Sequence, residues 1–449
     1  MGRDITNRDE SSRYIGRRAV LGGIGAMSTA GLMALAGCTT EDSSDTGTTD
    51  GTDGGGESPD VLVVIGYPAS GVQLFSDYYA EYDTDTSILI TDGMKSESLP
   101  DDVGEDLSNI SGTAPAASGP GADFFTQRYN EAYGSDPGVF TAHTYDATAI
   151  LVLANVAAGS NDGPAIRDAM RSVANPDGEE FGPDSFVEAV EAVASGTAIN
   201  YNGASSAVNF DTNGDMGAVK YDIFSYGSDG LSTDDTIPFE GGSDGGGGSD
   251  SIPGSSSDRT VKVGSLMATS GDLADLGKPM SDASTLPVKQ LEGNVDLTID
   301  QRVADSQTDP QAGISAANNL VNAGYQAIAG PLSSGVNLKV ANQVYIPNKV
   351  VGCSPSSTSP KVTALDDSDF IFRTAPSDAL QGKVLAQVAD EDKGATTAAT
   401  MYVNNSYGQS LSESFVSAFE EAGGTVQAEV AFEKEQSSYS AKLQSAMSP

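Results

Sequence analysis

The sequence predicts an α/β fold with parallel sheets, in two folded portions separated by a low-complexity stretch. Val61–Ile65 is a short, uniformly apolar run, which is typical of a strand covered on both faces. A helix-like stretch follows, and 88–90 is the next apolar run, which is the spacing of a parallel unit. Residues 238–258 are almost all Gly, Ser, Asp and Pro. Because such a stretch buries too little surface to offset its ordering entropy, we interpret it as a flexible tether.

The composition indicates a folded protein with an acidic surface. The 449 residues are enough for two or three domains, and 63 acidic side chains against 23 Lys and Arg give a net charge of -40. This charge argues against nucleic acid or an anionic membrane surface as a partner. With 38% hydrophobic residues in periodic runs, disorder is a poor explanation of the acidity. We therefore expect a halophile, such as a haloarchaeon, whose salt shrinks the Debye length to roughly 3 Å.

Residues 1–38 have the pattern of an export signal. Arg17 and Arg18 precede an apolar run rich in Gly and Ala that ends at Cys38, and the run is too weakly hydrophobic for a convincing membrane span. The segment resembles a twin-arginine signal joined to a lipobox, which implies export of the folded protein and lipid attachment at Cys38. An uncleaved anchor helix is the alternative. Residues 39–58 are predicted to be an acidic tether.

The remaining Cys and the single His indicate no catalytic or metal site. With Cys38 lipidated, Cys353 has no partner, and its apolar run KVVGC predicts a small buried side chain. His143 has no Cys nearby for a metal site and no Ser and Asp arrangement for a hydrolase. We expect no cofactor and no metal, and an enzyme is the least expected class.

In the first portion, 59–230, two turns after predicted strands carry candidate ligand residues. Tyr67 lies in GYPASG and Asp92 in ITDGM, at the carboxyl ends of strands, where open α/β sheets bind ligands. Asp211, Asn213 and Asp215 have the start of a calcium-loop pattern, but the downstream Glu is absent, so a turn is the preferred interpretation.

In the second portion, 259–449, two hydroxyl-rich turns follow neighbouring predicted strands, at 330–335 and 354–360. A helix that begins at such a turn presents free N–H groups and the positive end of its dipole, which suits a carboxylate. A single hydroxyl there is more often an ordinary N-cap, but two such turns favour binding. The last segment, 437–449, is predicted to be a helix with no strand after it, although a parallel unit should supply one.

The motifs resemble those of type I periplasmic binding proteins of the leucine/isoleucine/valine kind, in an altered order. Residues 259–449 resemble the first half of that family, through GPLSSG, GCSPSSTSP, FRTAPSDALQG and NNSYGQS. Residues 59–230 resemble the second half, through PDVLVVIGY, ILITDG, TYDATAILVLA and INYNGASSAVNFDTNGD. In the family KLQSAMSP would run into PDVLVVIGY, so the chain resembles a circularly permuted member whose original ends are joined by the linker 231–258. An exposed turn tolerates such opening, and roughly 30 residues of coil span about 30 Å.

The resemblance implies two doubly wound lobes joined by a three-strand hinge, with the ligand in the cleft between them. It assigns the hydroxyls of Ser334 and Thr358, and the backbone of Ser356, to a ligand α-carboxylate, and Asp92 to the α-ammonium. Asp92 stands where the family typically has Glu.

The resemblance also implies the walls of the site. Tyr407 and Tyr67 close the far wall, and Phe140 contacts the ligand side chain. Leu276 stands where branched-chain binders often have an aromatic residue, and Pro287 weakens the first helix.

The function implied is that of a substrate-binding protein of an ABC importer. We expect a monomer outside the cell, held to the membrane through its lipid anchor only, that closes by a hinge on a branched-chain or other amino acid and delivers it to a permease. One alternative is a surface sensor or binding protein for amides, urea or short-chain acids, expected if Asp92 does not face the cleft. Another is a structural cell-surface protein, against which the paired hydroxyl turns argue.

Overall fold

Two sheets, each with parallel strands at its centre, organise the protein. The computed structural model describes residues 58–82, 86–174, 178–228, 230–240, 247–248, 251–256 and 258–448, which belong to one compact unit. The predicted export signal with Cys38, and all of the predicted acidic tether except Ser58, lie outside the described residues.

The larger sheet has seven strands in the order β14-β13-β1-β2-β3-β6-β7. The first five are parallel, and β6 and β7 are antiparallel additions at one edge. The strands are β1 (Val61–Ile65), β2 (Ser87–Ile90), β3 (Ile110–Pro115), β6 (Ala218–Gly227), β7 (Gly230–Glu240), β13 (Thr397–Val403) and β14 (Thr425–Phe432). Because β1 is paired on both sides and covered on both faces, all five of its residues are buried.

The second sheet has five parallel strands in the order β12-β11-β10-β8-β9. These are β8 (Thr260–Met267), β9 (Thr298–Asp305), β10 (Ala327–Ala329), β11 (Val351–Ser354) and β12 (Ile371–Arg373). The side chains of β10 alternate between two cores, since Ala327 and Ala329 belong to one apolar cluster and Ile328 to the other. A separate pair is formed by β4 (Glu179–Phe181) and β5 (Ile199–Tyr201).

The helices cover the faces of the sheets. In the first portion they are α1 (Pro68–Glu81), α2 (Leu99–Val103), α3 (Ala122–Tyr133), α4 (Thr141–Ala157), α5 (Gly163–Met170) and α6 (Phe186–Ala194). In the second they are α7 (Ala274–Leu291), α8 (Pro310–Asn322), α9 (Ser334–Val340), α10 (Ile346–Asn348), α11 (Pro360–Thr363), α12 (Asp378–Gln387), α13 (Ser406–Glu421) and α14 (Ser440–Met447). Among the described residues, no helix is long and apolar enough to span a membrane.

Each lobe contains segments from both portions of the chain. Helix α4 is buried along its whole length and packs on α7, β8 and β10, whereas α12 packs on α13 and β3. The chain therefore passes between the lobes after β3, before β6 and after β12. The predicted α/β fold of two doubly wound lobes with three crossings is confirmed.

The structure differs from the prediction of a linker over 231–258. Strand β7 occupies much of that range and pairs with β6 through registers such as Val219 with Phe239. Beyond it, Ile252 is buried, and the Ser255 hydroxyl donates to the carbonyl of Val156 at 2.7 Å. The segments 230–240 and 251–256 are thus parts of the fold.

Several smaller predictions are tested by the structure. Cys353 is a free, buried thiol, as predicted, and burial raises its pKa. The segment at Asp211 is a turn, because its carboxylate accepts the N–H groups of Asn213 and Asp215. The described residues contain no group of three or more His, Cys, Asp or Glu arranged for a metal ion. Helix α7 continues through Pro287, so this residue does not end it.

Candidate functional site

A cavity lies between the lobes and is lined from both. The seven-stranded lobe contributes Tyr67, Asp92, Gly93 and Tyr407. The five-stranded lobe contributes Phe140, Leu273, Leu276, Met280, Leu332, Ser333, Ser334 and Ser356. Most of these residues lie where a strand ends and a helix begins, because the carboxyl ends of parallel strands meet at one edge of each sheet.

Four helices begin at the cavity without a side-chain cap. Tyr67, Phe140, Leu273 and Ser333 are the N-cap residues of α1, α4, α7 and α9, and in the described structure none of their side chains accepts a bond from its helix. The first N–H groups of a helix have no partner within the helix, and they stand at the positive end of its dipole. The cavity is therefore suited to a negatively charged group.

Asp92 supplies the opposite charge. Its side chain is 3% exposed and accepts a hydrogen bond from the Tyr407 hydroxyl at 3.3 Å. Burial raises the pKa of Asp92 to about 6, against the lowering effect of neighbouring hydrogen bonds. A carboxylate that is buried away from water favours a cationic partner.

Two aromatic side chains form one wall. The rings of Tyr67 and Tyr407 are stacked, with centroids 5.8 Å apart, and the amide of Asn405 donates to the Tyr67 hydroxyl at 2.9 Å. Burial raises the pKa of Tyr67 to about 12, so this hydroxyl stays neutral at physiological pH and keeps its proton for donation. Ser333, on the other lobe, lines the same cavity as Tyr67.

The opposite wall is apolar. Leu273, Leu276 and Met280 line the cavity from the start of α7, at helical spacing. Leu332 and Phe140 complete this wall. An aliphatic side chain fits such a surface, since its burial needs no hydrogen-bond partner.

Further contacts hold the lobes together beside the cavity. Lys434 of the seven-stranded lobe forms an ion pair with Asp272, which precedes α7. The Ser359 hydroxyl donates to the hydroxyl of Ser410 at 3.0 Å. These contacts close the lobes around the site.

The cavity brings together seven of the eight predicted ligand residues: Ser334, Ser356, Tyr407, Tyr67, Asp92, Phe140 and Leu276. Thr358 is not among the lining residues. It is buried, and its carbonyl accepts the N–H of Asp378 at 2.8 Å. The roles of all eight as ligand contacts remain predictions.

Five lining residues were missed by sequence reasoning: Gly93, Leu273, Met280, Leu332 and Ser333. The sequence could have predicted them, because each is adjacent to a predicted residue or lies at helical spacing from Leu276.

Arg373 supports the loop that carries Ser356. It is fully buried, and its guanidinium bonds both carboxylate oxygens of Asp215 at 2.6 and 2.7 Å. Its remaining terminal nitrogen donates to the carbonyls of Ser357, Thr358 and Ser359. Sequence reasoning missed this residue, although it lies in the motif FRTAPSDALQG.

Two α/β lobes with a cavity between them, lined by polar and apolar residues, define a bilobal binding protein. The sequence profile of the periplasmic binding protein family matches residues 56–197 and 260–448, so the chain belongs to that family. The family consists of solute-binding proteins rather than enzymes, and it implies a location outside the cytoplasm.

Individual relatives are similar over part of their length. The Leu/Ile/Val-binding protein homolog 3 of Brucella melitensis is 26% identical over 168 residues, 37% of this chain and 45% of the relative. The chemotactic signal transduction system substrate-binding protein BasB of Halobacterium salinarum is 32% identical over 115 residues, 24% of this chain and 28% of the relative. The matched segments therefore span less than half of these relatives.

Among solved structures, the branched-chain amino acid transporter substrate-binding protein LivJ of Streptococcus pneumoniae, in complex with isoleucine, is similar at 22% identity. Its TM-score is 0.36, over 41% of this chain and 53% of the other.

Proposed function

We propose that the protein is an extracytoplasmic solute-binding protein that captures an amino acid in the interlobe cavity and delivers it to the permease of an ABC importer. One observation carries the proposal: the cavity between the lobes combines uncapped helix starts, a buried carboxylate and an apolar wall. These three surfaces match the carboxylate, the ammonium and the side chain of an amino acid.

In this proposal the ligand carboxylate lies at the start of α9, where it accepts bonds from Ser334 and from the backbone at Ser356. Thr358 serves the same carboxylate, as the family resemblance implies. The ammonium lies against Asp92, and the side chain lies between Phe140 and Leu276. No group is consumed or transformed, so this arrangement needs no nucleophile or base.

A branched-chain amino acid is the proposed ligand class. The apolar wall of Leu273, Leu276 and Met280 supports it, as do the names of several relatives, which are Leu/Ile/Val-binding proteins.

A sensory role on the same fold is the second candidate. The Halobacterium relative carries the name of a chemotactic substrate-binding protein, which supports such a role. Amides, urea and short-chain acids remain the alternative ligands, but they have no ammonium to occupy the Asp92 side of the cavity, which favours amino acids.

The circular permutation is also a proposal, and the strand order supports it. If the chain is counted from β8, the five parallel strands of each lobe have the doubly wound order 2-1-3-4-5. In that order α14 becomes the connection between β14 and β1.

Hydrogen bonds across the two chain ends support the same proposal. The Asp60 carboxylate accepts the N–H groups of Thr396 and Thr397 at 2.8 and 2.9 Å. The Asp77 carboxylate accepts a hydrogen bond from the Ser438 hydroxyl at 2.9 Å.

We further propose that the protein is exported by the twin-arginine route, anchored through a lipid on Cys38, and monomeric in a halophile. The net charge of -40 supports the high-salt setting. Mass spectrometry of membrane-extracted protein tests the lipid.

A thermal-shift screen of amino acids in molar KCl tests the binding function. An amino acid at 100 times its dissociation constant stabilises the folded protein by about 2.7 kcal/mol. Asp92→Ala should abolish the shift, whereas the exposed Asp101→Ala should keep it. No shift with any amino acid would contradict the proposal.

A further inference from the structure

A second acid, Asp378, is buried beside the candidate site. It begins α12, is fully buried, and donates its N–H to the carbonyl of Thr358. Neither of its carboxyl oxygens has a hydrogen-bond partner among the described residues. Because a buried acceptor without a donor is costly, this group needs either a proton or a ligand.

Side chains connect Asp378 to the cavity. Gln381 lies one turn later on the same face of α12, and its amide lies beside Asp92 and donates to the carbonyl of Thr113 at 3.0 Å. The Thr358 hydroxyl is 1% exposed, lies close enough to Asp378 to lower the pKa of that carboxyl, and has no hydrogen-bond partner within the described structure. The hydroxyl of Tyr407, which lines the cavity, lies in the field of both carboxyls.

We call Asp92 and Asp378 the acid pair, and among the described residues no cation beside them is free of other partners. Arg373 acts on Asp378, but its guanidinium already bonds Asp215, Thr363 and three carbonyls. The other titratable neighbours are Tyr67, Tyr407 and Tyr221, which are neutral at physiological pH.

Two neighbouring buried carboxyls do not both ionise at neutral pH. Burial, and then the charge of Asp92, raise the pKa of Asp378 well above its ordinary value.

We propose that the acid pair is a proton-linked subsite for a ligand ammonium group. In the ligand-free cleft Asp378 carries a proton and Asp92 is the carboxylate. When the ammonium binds against Asp92, it also attracts the Asp378 carboxyl, whose O–H bond breaks and whose proton passes to solvent. At the acid pair one positive charge enters and one leaves, so the net charge of this subsite is unchanged. The subsite selects molecules with an ammonium over neutral or anionic ones.

This inference rests on the proposed function, so its test has a ligand-dependent and a ligand-free arm. In the first arm, L-isoleucine is titrated calorimetrically into the full protein in molar KCl at neutral pH, in buffers of different ionisation enthalpy. The slope of the binding enthalpy against the ionisation enthalpy of the buffer gives the number of protons exchanged. We expect about one proton released per isoleucine bound.

The same titration of Asp378→Asn should give no proton release. The control Asp282→Asn, at an exposed carboxylate on α7, should behave as the wild type. Isoleucine binding to the wild type without proton release would overturn the inference while leaving the binding function intact.

The ligand-free arm uses infrared spectroscopy. Wild-type protein at neutral pH should show the C=O stretch of a protonated carboxyl, and Asp378→Asn should lack it. If no amino acid binds, the proposed function fails, yet this band still reports on the acid pair. If the wild-type protein lacks the band, the inference is overturned, and this measurement does not depend on the folding of any variant.

Discussion

Asp92 links the stability of the fold to pH with an unusual sign for a carboxylate. Its pKa of about 6 in the folded protein exceeds its ordinary value of 3.8, so between these values the folded protein holds a proton that the unfolded chain has lost. The contribution of Asp92 to stability therefore falls as pH rises through this window, on the order of 3 kcal/mol.

We expect that Asp92→Asn removes this pH dependence. Urea unfolding of ligand-free wild type and variant at several pH values checks it, because the difference between their free energies of unfolding reports the titration of Asp92 together with its coupling to Asp378. Carboxylates with lowered pKa values, such as Asp60 and Asp77, contribute with the opposite sign in both proteins and cancel. A difference that stays constant with pH would contradict the assignment.

The ion pair of Asp215 with Arg373 is a second feature in which a single residue strongly affects the free energy of unfolding. Asp215→Ala leaves a fully buried guanidinium without its carboxylate, so we expect a loss of about 3 to 5 kcal/mol in the free energy of unfolding. Urea unfolding measures it, with the exposed Asp123→Ala as control. An equal effect of the two substitutions would show that the pair does not support the loop.

At the residue scale, sequence reasoning succeeded where a motif lies in a turn and failed where burial decides. Ser334 and Asp92 follow apolar strands, so their place at the cavity could be predicted. Arg373 and Asp378 lie in a recognised motif, but their importance comes from full burial and from their neighbours, which only the tertiary structure specifies.

At the scale of elements, the turn after β2 depends on a residue without a side chain. A Cβ at Gly93 would collide with the carbonyl oxygen of Gly66, in the neighbouring turn. We expect Gly93→Ala to abolish the amino-acid thermal shift, because the turn that carries Asp92 must move.

The control for Gly93→Ala is Gly227→Ala, at the end of β6, where a Cβ meets nothing within 4 Å. Thermal-shift titrations of both variants with amino acids test this prediction. Retained binding by Gly93→Ala would mean that the turn accommodates the Cβ without losing the binding site.

Strand β7 and the effect of proline on α7 were wrongly predicted from local sequence. Strand β7 has Asp, Thr and Pro in an edge position, where its polar side chains face solvent, so its composition resembles a linker. In α7, Pro279 and Pro287 contradict helix propensity, yet packing against α4 maintains the helix around them. In both cases tertiary contacts outweigh local preference.

At the scale of the whole molecule, the proposed permutation makes the order of the two portions irrelevant to the fold. Strand β1 lies between β13 and β2, so the residues nearest the two described chain ends contribute to the same sheet and to adjacent helices. The interactions that define the cavity join side chains from both portions, and none of them needs the covalent path through 241–250.

We therefore expect a rearranged protein, with 251–448 followed by 59–240, to fold to the same structure, because it keeps the segment 251–256 that packs on the rest of the fold. A short flexible connection would join Ser448 to Pro59, and α14 would then become an ordinary crossover helix between two parallel strands. Circular dichroism, urea unfolding and amino-acid thermal shifts in molar KCl would compare it with the natural order. A matched control opens the chain within β13, where the break interrupts a central strand, and this variant should not fold. If the rearranged protein fails to fold while the natural order succeeds, the two halves are not related by permutation, and the strand order shared by the lobes needs another origin.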